Sequence, residues 1–323
     1  EIPLRLVGSE MCIRDRLYCP ANKTDIADSI INEKFGQKFS LALCLEDTIS
    51  DSFVTQAEQI LTASLQKIYQ NLEKKDFYLP KIFIRVRTPK QIMHMTKSLG
   101  DAISLLTGFI LPKFHPDNAE AYIHEIILAN EFSARKLYMM PIYESSALID
   151  LRYRYDILYS LKSSLDKTED LVLNIRVGGN DLCHMFGFRR HSDESIHKIT
   201  PVSHIFSDII TVYGMNYVIS GPVYEYYAGK NWEEGFLQEI ADDRLCGFTG
   251  KTVIHPKQIS LVNEAYRVSK KDFDDALDIL NWNPENASLV SGSQSKERMN
   301  EYKTHGNWAM RTKLLAEAFG LKD

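Results

Sequence analysis

Eight short apolar runs, each bounded by Gly, Pro or charge, recur along the chain from Leu17 onward. They cover residues 17–20, 40–47, 81–87, 108–114, 136–144, 171–181, 217–222 and 250–256. Continuous apolar runs of this length suit strands buried on both faces. The stretches between them carry helical spacing. Phe53, Ala57, Ile60, Leu61, Leu65, Ile68 and Leu72 form one stripe, and Val202, Ile205, Phe206 and Ile209 form another. Asp51 and Asn118 are placed to act as N-caps. Strand–helix alternation with crossovers this long implies parallel βαβ units. Eight such units predict an α/β fold, a closed (β/α)8 TIM barrel, with an open doubly wound sheet as the competitor.

A chain of 323 residues with 44% hydrophobic content can fill one barrel core. The net charge of −5 leaves no broad basic surface, so nucleic acid is not an expected partner. The five cysteines, Cys12, Cys19, Cys44, Cys183 and Cys246, are odd in number and form no CxxC pair. They read as reduced thiols of a cytoplasmic protein, without a disulfide frame or zinc site. No stretch approaches 18 uninterrupted apolar residues, so no membrane segment is expected. Residues 7–16 resemble the translation of adapter-like DNA, which predicts that 1–16 are a non-native or disordered leader. Residues 17–270 then form the barrel, and 271–323 form a C-terminal extension. The extension is polar over 282–307 and ends in a helix predicted at 307–319. It is expected to serve as a lid, with 291–308 closing over the barrel mouth, or as an oligomer contact.

Active sites of parallel barrels sit where strands end and βα loops begin. Six of the apolar runs end there in ionisable groups: Glu46 and Asp47, Arg85 and Arg87, Lys113, Glu144, Asp181, and His255. One such ending is ordinarily a solvated strand end or a helix cap; a cap is open to Glu144 and Asp181, and a charged strand end to Arg87. Six on one rim point to chemistry. The carboxylates Glu144 and Asp181, on neighbouring strands, suit a hard divalent ion, Mg2+ or Mn2+. Such an ion polarises a carbonyl and stabilises an enolate. Arginine recognises carboxylates through two parallel hydrogen bonds. Arg85, Arg87 and Lys113 are therefore candidate substrate-binding groups, and Arg85, Asp47 and Glu46 candidate catalytic groups. The base could be Asp47 or a group from the tail. The histidines carry less weight. His94, His124 and His204 fall in helical stretches, His184, His191 and His197 lack metal-ligand spacing, and His255 precedes a proline. Gly250-Lys251-Thr252 is not a phosphate-binding loop, because Leu245 stands where the first glycine would be.

These segments, in this order, resemble the citrate lyase β-subunit/malyl-CoA lyase superfamily, an aldolase-like group. The match runs through Cys44-Leu-Glu-Asp47, Ile84-Arg-Val-Arg87, Pro112-Lys113, Pro141-Ile-Tyr-Glu144 and Val177-Gly-Gly-Asn-Asp-Leu182. It ends with Gly247-Phe-Thr-Gly-Lys-Thr-Val-Ile-His-Pro256. Ser220-Gly-Pro-Val-Tyr-Glu225 and Met299-Asn-Glu-Tyr-Lys-Thr-His305 look most like the TIM-barrel C–C bond lyase branch found with tellurium-resistance and stress gene clusters. The resemblance implies metal ligands at Glu144 and Asp181 and a carboxylate-binding Arg85. It also implies a Mg2+-dependent carbon–carbon lyase acting on a 2-oxo acid or acyl-type substrate, and a homo-oligomer. The partner would be a small oxo- or hydroxy-acid, or a CoA thioester, although the superfamily's coenzyme A contacts are not visible here. Arg87 departs from the superfamily's asparagine. A metal-assisted thioester hydrolase and a non-catalytic metal- or ligand-binding regulatory subunit are the alternatives.

Overall fold

Eight parallel strands close on themselves in chain order: β1 Arg16–Pro20, β2 Ser40–Cys44, β3 Lys81–Arg85, β4 Leu106–Leu111, β5 Tyr138–Tyr143, β6 Ile175–Val177, β7 Ile219–Val223 and β8 Lys251–Val253. The computed structural model describes residues 16–283, 285 and 288–322. β1 pairs with both β2 and β8, which closes the barrel and excludes the open sheet. All eight predicted strands are present; β2, β3, β5, β6 and β8 are trimmed, β1 begins one residue earlier than predicted, β4 begins two residues earlier and stops sooner, and β7 starts later and runs one residue further. The trimming matters most at β6, where the chain leaves the sheet at Val177 and enters a helix at Gly179–Phe186. Asp181 therefore sits in the first turn of a helix instead of ending a strand. Two predicted caps also change. His115 is the N-cap of helix Pro116–Phe132, and Asn118 returns its bond from the third position in a capping box. Asp51 opens a short 3-10 turn ahead of helix Val54–Asn71 and pairs with Arg87.

Alternation along the strands separates two cores. Leu17, Leu41, Leu43, Ile82, Ile84, Ile175 and Val253 point outward to the helices. A smaller cluster inside the barrel contains Ala42, Phe83, Ile110, Met140 and Ile142, with Tyr18 packed against it. Both predicted helical stripes face the larger core. Val202, Ile205, Phe206 and Ile209 are fully buried, whereas Phe53 and Leu72 at the ends of the other stripe are exposed. Arg16 was assigned to the leader, yet it begins β1, is 1% exposed and reaches Ser220 Oγ at 3.4 Å. The boundary moves by that residue, and 1–15 lie outside the described residues. No helix among the described residues is long and apolar enough to cross a membrane.

Outside β8 lies a buried ionic network. Lys251 Nζ is 3.0 Å from Glu239 Oε1 and 2.6 Å from Asp243 Oδ2, both on helix Trp232–Cys246. His197 Nε2 lies 2.7 Å from Asp243 Oδ1, and its ring packs edge-on against Phe206. Burial opposes the imidazolium, but bonding to Asp243 and Cys246 outweighs it and raises the His197 pKa to about 9. The folded value thus exceeds the unfolded value of about 6.5. Its stabilisation is full below that lower value and is lost as pH rises through about 9. Denaturant titrations from pH 6 to 10 should show a loss on the order of 2–3 kcal/mol in the wild type. His197→Gln should lack most of that slope, and identical slopes would remove His197 as its source.

The C-terminal extension docks at the end of the barrel opposite the rim. Its helix spans Tyr302–Phe319, five residues longer at the start than predicted. Arg311 Nη2 donates to Gly247 O at 2.7 Å, Phe248 O at 3.1 Å and Thr249 Oγ1 at 2.8 Å, in the turn that enters β8. Tyr266 stacks on Phe319, and Leu321–Lys322 pairs with Val268–Ser269. Arg298 is tied to Asp272 and Asp275 near the start of helix Lys270–Leu280. Residues 291–308 are thus placed beside helix Lys270–Leu280 and the turn that enters β8.

Candidate active site

Strand register brings the acidic endings together. Cys44 pairs with Arg85 across β2 and β3, so Glu46 and Asp47 emerge beside that arginine. Tyr143 pairs with Val177, which sets Glu144 level with Gly178. Arg85, 8% exposed, places Nη2 at 2.7 Å from Glu46 Oε2, 2.9 Å from Asp47 Oδ2 and 3.0 Å from Glu144 Oε1. Its guanidinium lies 6.0 Å from the Tyr18 ring centre. Lys113 closes the cluster from β4. Its Nζ is 2.6 Å from Glu46 Oε1 and 3.2 Å from Asp47 Oδ1. The Lys113 backbone takes a left-handed φ of 48° and donates its N–H to Glu144 Oε1 at 3.0 Å. A non-glycine residue in that region is strained by roughly 1 kcal/mol or more. Here the strain aims a donor at the buried carboxylate.

Glu144 is not a helix cap; Ser145 caps the following turn. Its Oε1 is shared by Arg85 and Lys113, and its Oε2 faces Gly178. Burial, and then the charge of Asp181, push the Glu144 carboxyl up to about 7 against the pull of Arg85. Burial likewise raises Glu46. Asp47 moves the other way. Burial opposes its ionisation, but bonding to Glu46 and the charges of Arg85 and Lys113 overcome this and hold it below the usual range. Asp181 does not cap its helix either, since Gly178 occupies the N-cap with no side-chain bond. Among the described residues Asp181 has no hydrogen-bond or ion-pair partner.

Arg85, Asp47, Glu144 and Asp181 line one cavity of about 260 Å³, together with Tyr18 and Arg176. Four carboxylates, Glu46, Asp47, Glu144 and Asp181, face two cations, Arg85 and Lys113, so the cluster carries surplus negative charge. No group of three or more His, Cys, Asp or Glu that could hold a metal occurs among the described residues. Two carboxylates with open positions for water and substrate are a Mg2+-type donor set. The unpartnered Asp181 and the raised Glu144 fit a divalent cation, which would offset the repulsion between them.

Arg87 does not belong to this cavity. Its guanidinium binds Leu45 O at 3.3 Å, Glu46 O at 3.1 Å, Ile49 O, and Asp51 at 2.5 Å. It pins the loop after β2 and does not line the cavity, which corrects its assignment as a substrate-binding residue. Arg176 is the residue that sequence reasoning missed. A single charge between Ile175 and Val177, with both neighbours facing the helices, was the available signal. Gly178 is required for space. A Cβ there would overlap the Glu144 carboxylate. Gly178→Ala should therefore displace Glu144, weaken Mg2+ binding by about 100-fold and destabilise the fold by about 1–3 kcal/mol. Calorimetric Mg2+ titration with thermal melting checks this, and wild-type affinity would show that the loop absorbs the methyl group.

A family model described as a C–C bond lyase of the TIM-barrel fold matches residues 9–321. The citrate lyase subunit beta of Escherichia coli K12 is 44% identical over 50 residues, 16% of this chain and 17% of that protein's length. The chain thus aligns with about a sixth of that curated relative. A citrate lyase structure from Burkholderia xenovorans matches with a TM-score of 0.71 at 14% identity, covering 96% of this chain and 93% of that one. The Mycobacterium tuberculosis CitE protein, solved with magnesium, acetoacetate and coenzyme A, matches with a TM-score of 0.58 at 17% identity, covering 94% and 98%. At such identities the two structures speak for the fold.

Proposed function

The chain belongs to the C–C bond lyase family of the TIM-barrel fold, and from that premise we propose a Mg2+-dependent lyase that cleaves or forms a carbon–carbon bond next to a 2-oxo acid or acyl group. The observation that carries this is the pairing of Glu144 with an unpartnered Asp181 in a cavity that also holds Arg85. The magnesium and acetoacetate in the CitE protein accord with such a site. Glu144 and Asp181 are the residues that would hold the ion. Once bound, Mg2+ supplies Lewis-acid polarisation of a carbonyl and stabilises developing negative charge.

The remaining chemistry falls to the chain's own groups. Arg85 binds the substrate carboxylate and faces the enolate charge of the departing fragment. Glu46 and Glu144 fix the guanidinium from behind. Asp47 and Glu46 have proton affinities pushed apart by their surroundings, the pattern of an acid–base division of labour. Asp47, kept ionised, takes the substrate hydroxyl proton on its carboxylate as the carbon–carbon bond breaks. The hydroxyl-bearing carbon becomes the new carbonyl, the bonding pair passes to the other fragment as its enolate, and the proton held on Asp47 returns to that fragment's carbon to complete the product. Apolar Ile142, Val177 and Val223 line the cavity and limit water around that charge.

Product analysis tests the proposal. The full chain with Mg2+ is offered 3-hydroxy acids and their coenzyme A thioesters. Carbonyl product is trapped as a hydrazone and free thiol is read with a disulfide reagent. A carbonyl product whose formation requires Mg2+ is expected. Thiol release without a carbonyl product would replace the lyase by a hydrolase. Metal-dependent ligand binding without any product would replace it by a binding subunit.

A further inference from the structure

A second cavity lies at the end of the barrel opposite the rim. It measures about 490 Å³ and sits between helix Trp232–Cys246 and the C-terminal helix Tyr302–Phe319. Arg244 and Leu245 line it from the first helix, Trp308, Arg311 and Leu315 from the second, and Asp272 from helix Lys270–Leu280. Arg311 makes its three hydrogen bonds through Nη2 alone, to two carbonyls and a hydroxyl. Its Nε and Nη1 have no hydrogen-bond partner among the described residues, and both stay open to solvent. Arg244 makes one bond, from Nη1 to Ala265 O at 2.9 Å. Among the described residues no carboxylate forms an ion pair with either arginine. The one acid of the lining, Asp272, is held by Arg298 at 2.8 Å and by Ser269 Oγ at 2.7 Å.

Two unpaired guanidinium groups thus share a cavity whose carboxylate is already neutralised. Burial lowers the Arg311 pKa and the charge of Arg244 lowers it further, against an opposing contribution from Tyr266. A bound anion would relieve that repulsion. Guanidinium groups meet phosphate through two parallel hydrogen bonds. A phosphate monoester carries a charge of about −1.5 to −2 at pH 7, which answers two cations where a carboxylate answers one. The rest of the lining suits a flat apolar body. Trp308 stands one helical turn before Arg311, on the same face of the helix and about 5–6 Å from it between Cβ atoms. Arg298 lies over the indole ring at 4.9 Å from its centre and is itself fixed by Asp272 and Asp275. Leu245, next to Arg244, is 88% exposed and leaves an open apolar edge. The volume exceeds what an inorganic ion needs and falls within the roughly 300–1,000 Å³ of small-molecule sites.

We propose that this cavity binds a nucleoside monophosphate, with its phosphate between Arg244 and Arg311 and its base against Trp308. Barrel enzymes do their chemistry at the other end, so a ligand here is not the substrate of the rim residues. It would instead tie the C-terminal helix to helix Trp232–Cys246. None of the rim residues takes part, so the lyase proposal stands or falls separately.

Calorimetry on the full chain tests the site, with adenosine monophosphate, ribose 5-phosphate and adenosine as probes and EDTA present. The nucleotide should bind at least about 10-fold more tightly than either fragment. Arg244→Gln should weaken nucleotide binding about 10–100-fold. Adenosine binding should change by no more than about 2-fold in that variant. Trp308→Ala should weaken the nucleotide about 10-fold and leave ribose 5-phosphate within about 2-fold. Arg244 gives up a single exposed bond, so its variant should melt within about 2 °C of wild type. Trp308→Phe keeps a smaller ring, should lose less than the alanine variant, and serves as the test if that variant does not fold. Equal affinity for the nucleotide and ribose 5-phosphate would take the base out of the site and overturn the proposal. Nucleotide affinity unchanged in both Arg244→Gln and Trp308→Ala would overturn it by placing the ligand elsewhere. Nucleotide binding that requires Mg2+ and is lost in Asp181→Ala would move the ligand to the rim, with the same result. So would the absence of any nucleotide binding at millimolar concentration.

Discussion

Asp181→Ala is expected to weaken Mg2+ binding by at least about 100-fold and to lower lyase turnover by about 1,000-fold or more. The melting temperature should stay within about 2 °C of wild type. The two effects separate because Asp181 has no partner among the described residues, so its removal breaks no bond. Its loss even relieves a like charge that pushes the Glu144 carboxyl up to about 7. Glu144→Ala should lose Mg2+ to a similar degree, but with a different stability signature. Glu144 accepts from Arg85 Nη2 and Lys113 N, both at 3.0 Å, and its removal leaves those donors unsatisfied. That costs about 1–3 kcal/mol for each buried donor left unpaired. Calorimetric titration with Mg2+, alongside thermal melts, reads both quantities. Wild-type Mg2+ affinity in both variants would end the assignment of the pair as ligands.

The barrel was legible because burial on both faces leaves a coarse mark, an apolar run closed by Gly, Pro or charge. The site was legible in part for a related reason. A carboxylate at the end of such a run, as at Glu46 or Glu144, has few structural reasons to be there. What could not be read was where a strand stops. Arg85 and Arg87 are two residues apart and would share a face if β3 continued. It ends at Arg85, and the turn swings Arg87 outward to hold the carbonyls of the loop after β2. Asp181 was placed at a strand end, and it reaches the same cavity from the first turn of a helix. Arg176 was hidden by its setting. Only the parity of a three-residue strand separates it from a buried, paired cation such as Lys251, which points the other way into Glu239 and Asp243. The docking side of the tail had no local signal, since Arg311 finds its acceptors, two carbonyls and a hydroxyl, 62–64 residues earlier in the chain.

Arg85→Lys should raise the dissociation constant for pyruvate in the presence of Mg2+ by about 10–100-fold. It should lower turnover by about 100-fold, with Mg2+ affinity changed far less. Lysine is the informative substitution because it keeps the charge. An uncharged residue would leave Glu46, Asp47 and Glu144 facing one another around a vacated cation, and breaking a buried pair of this kind costs about 3–5 kcal/mol. Loss of activity in such a variant would then report on folding. With lysine the charge survives, but the planar fork does not. One Nη2 atom now lies within 3.0 Å of oxygens from three acids while the guanidinium plane rests near the Tyr18 ring. An ammonium on a flexible stem cannot hold those acids and offer a second, coplanar donor to a substrate carboxylate. The orientation of the substrate should therefore suffer more than the cluster that carries the metal. Equal pyruvate affinity in the two proteins would take Arg85 out of the substrate site and leave it as a clamp that holds Glu46 and Glu144 in place.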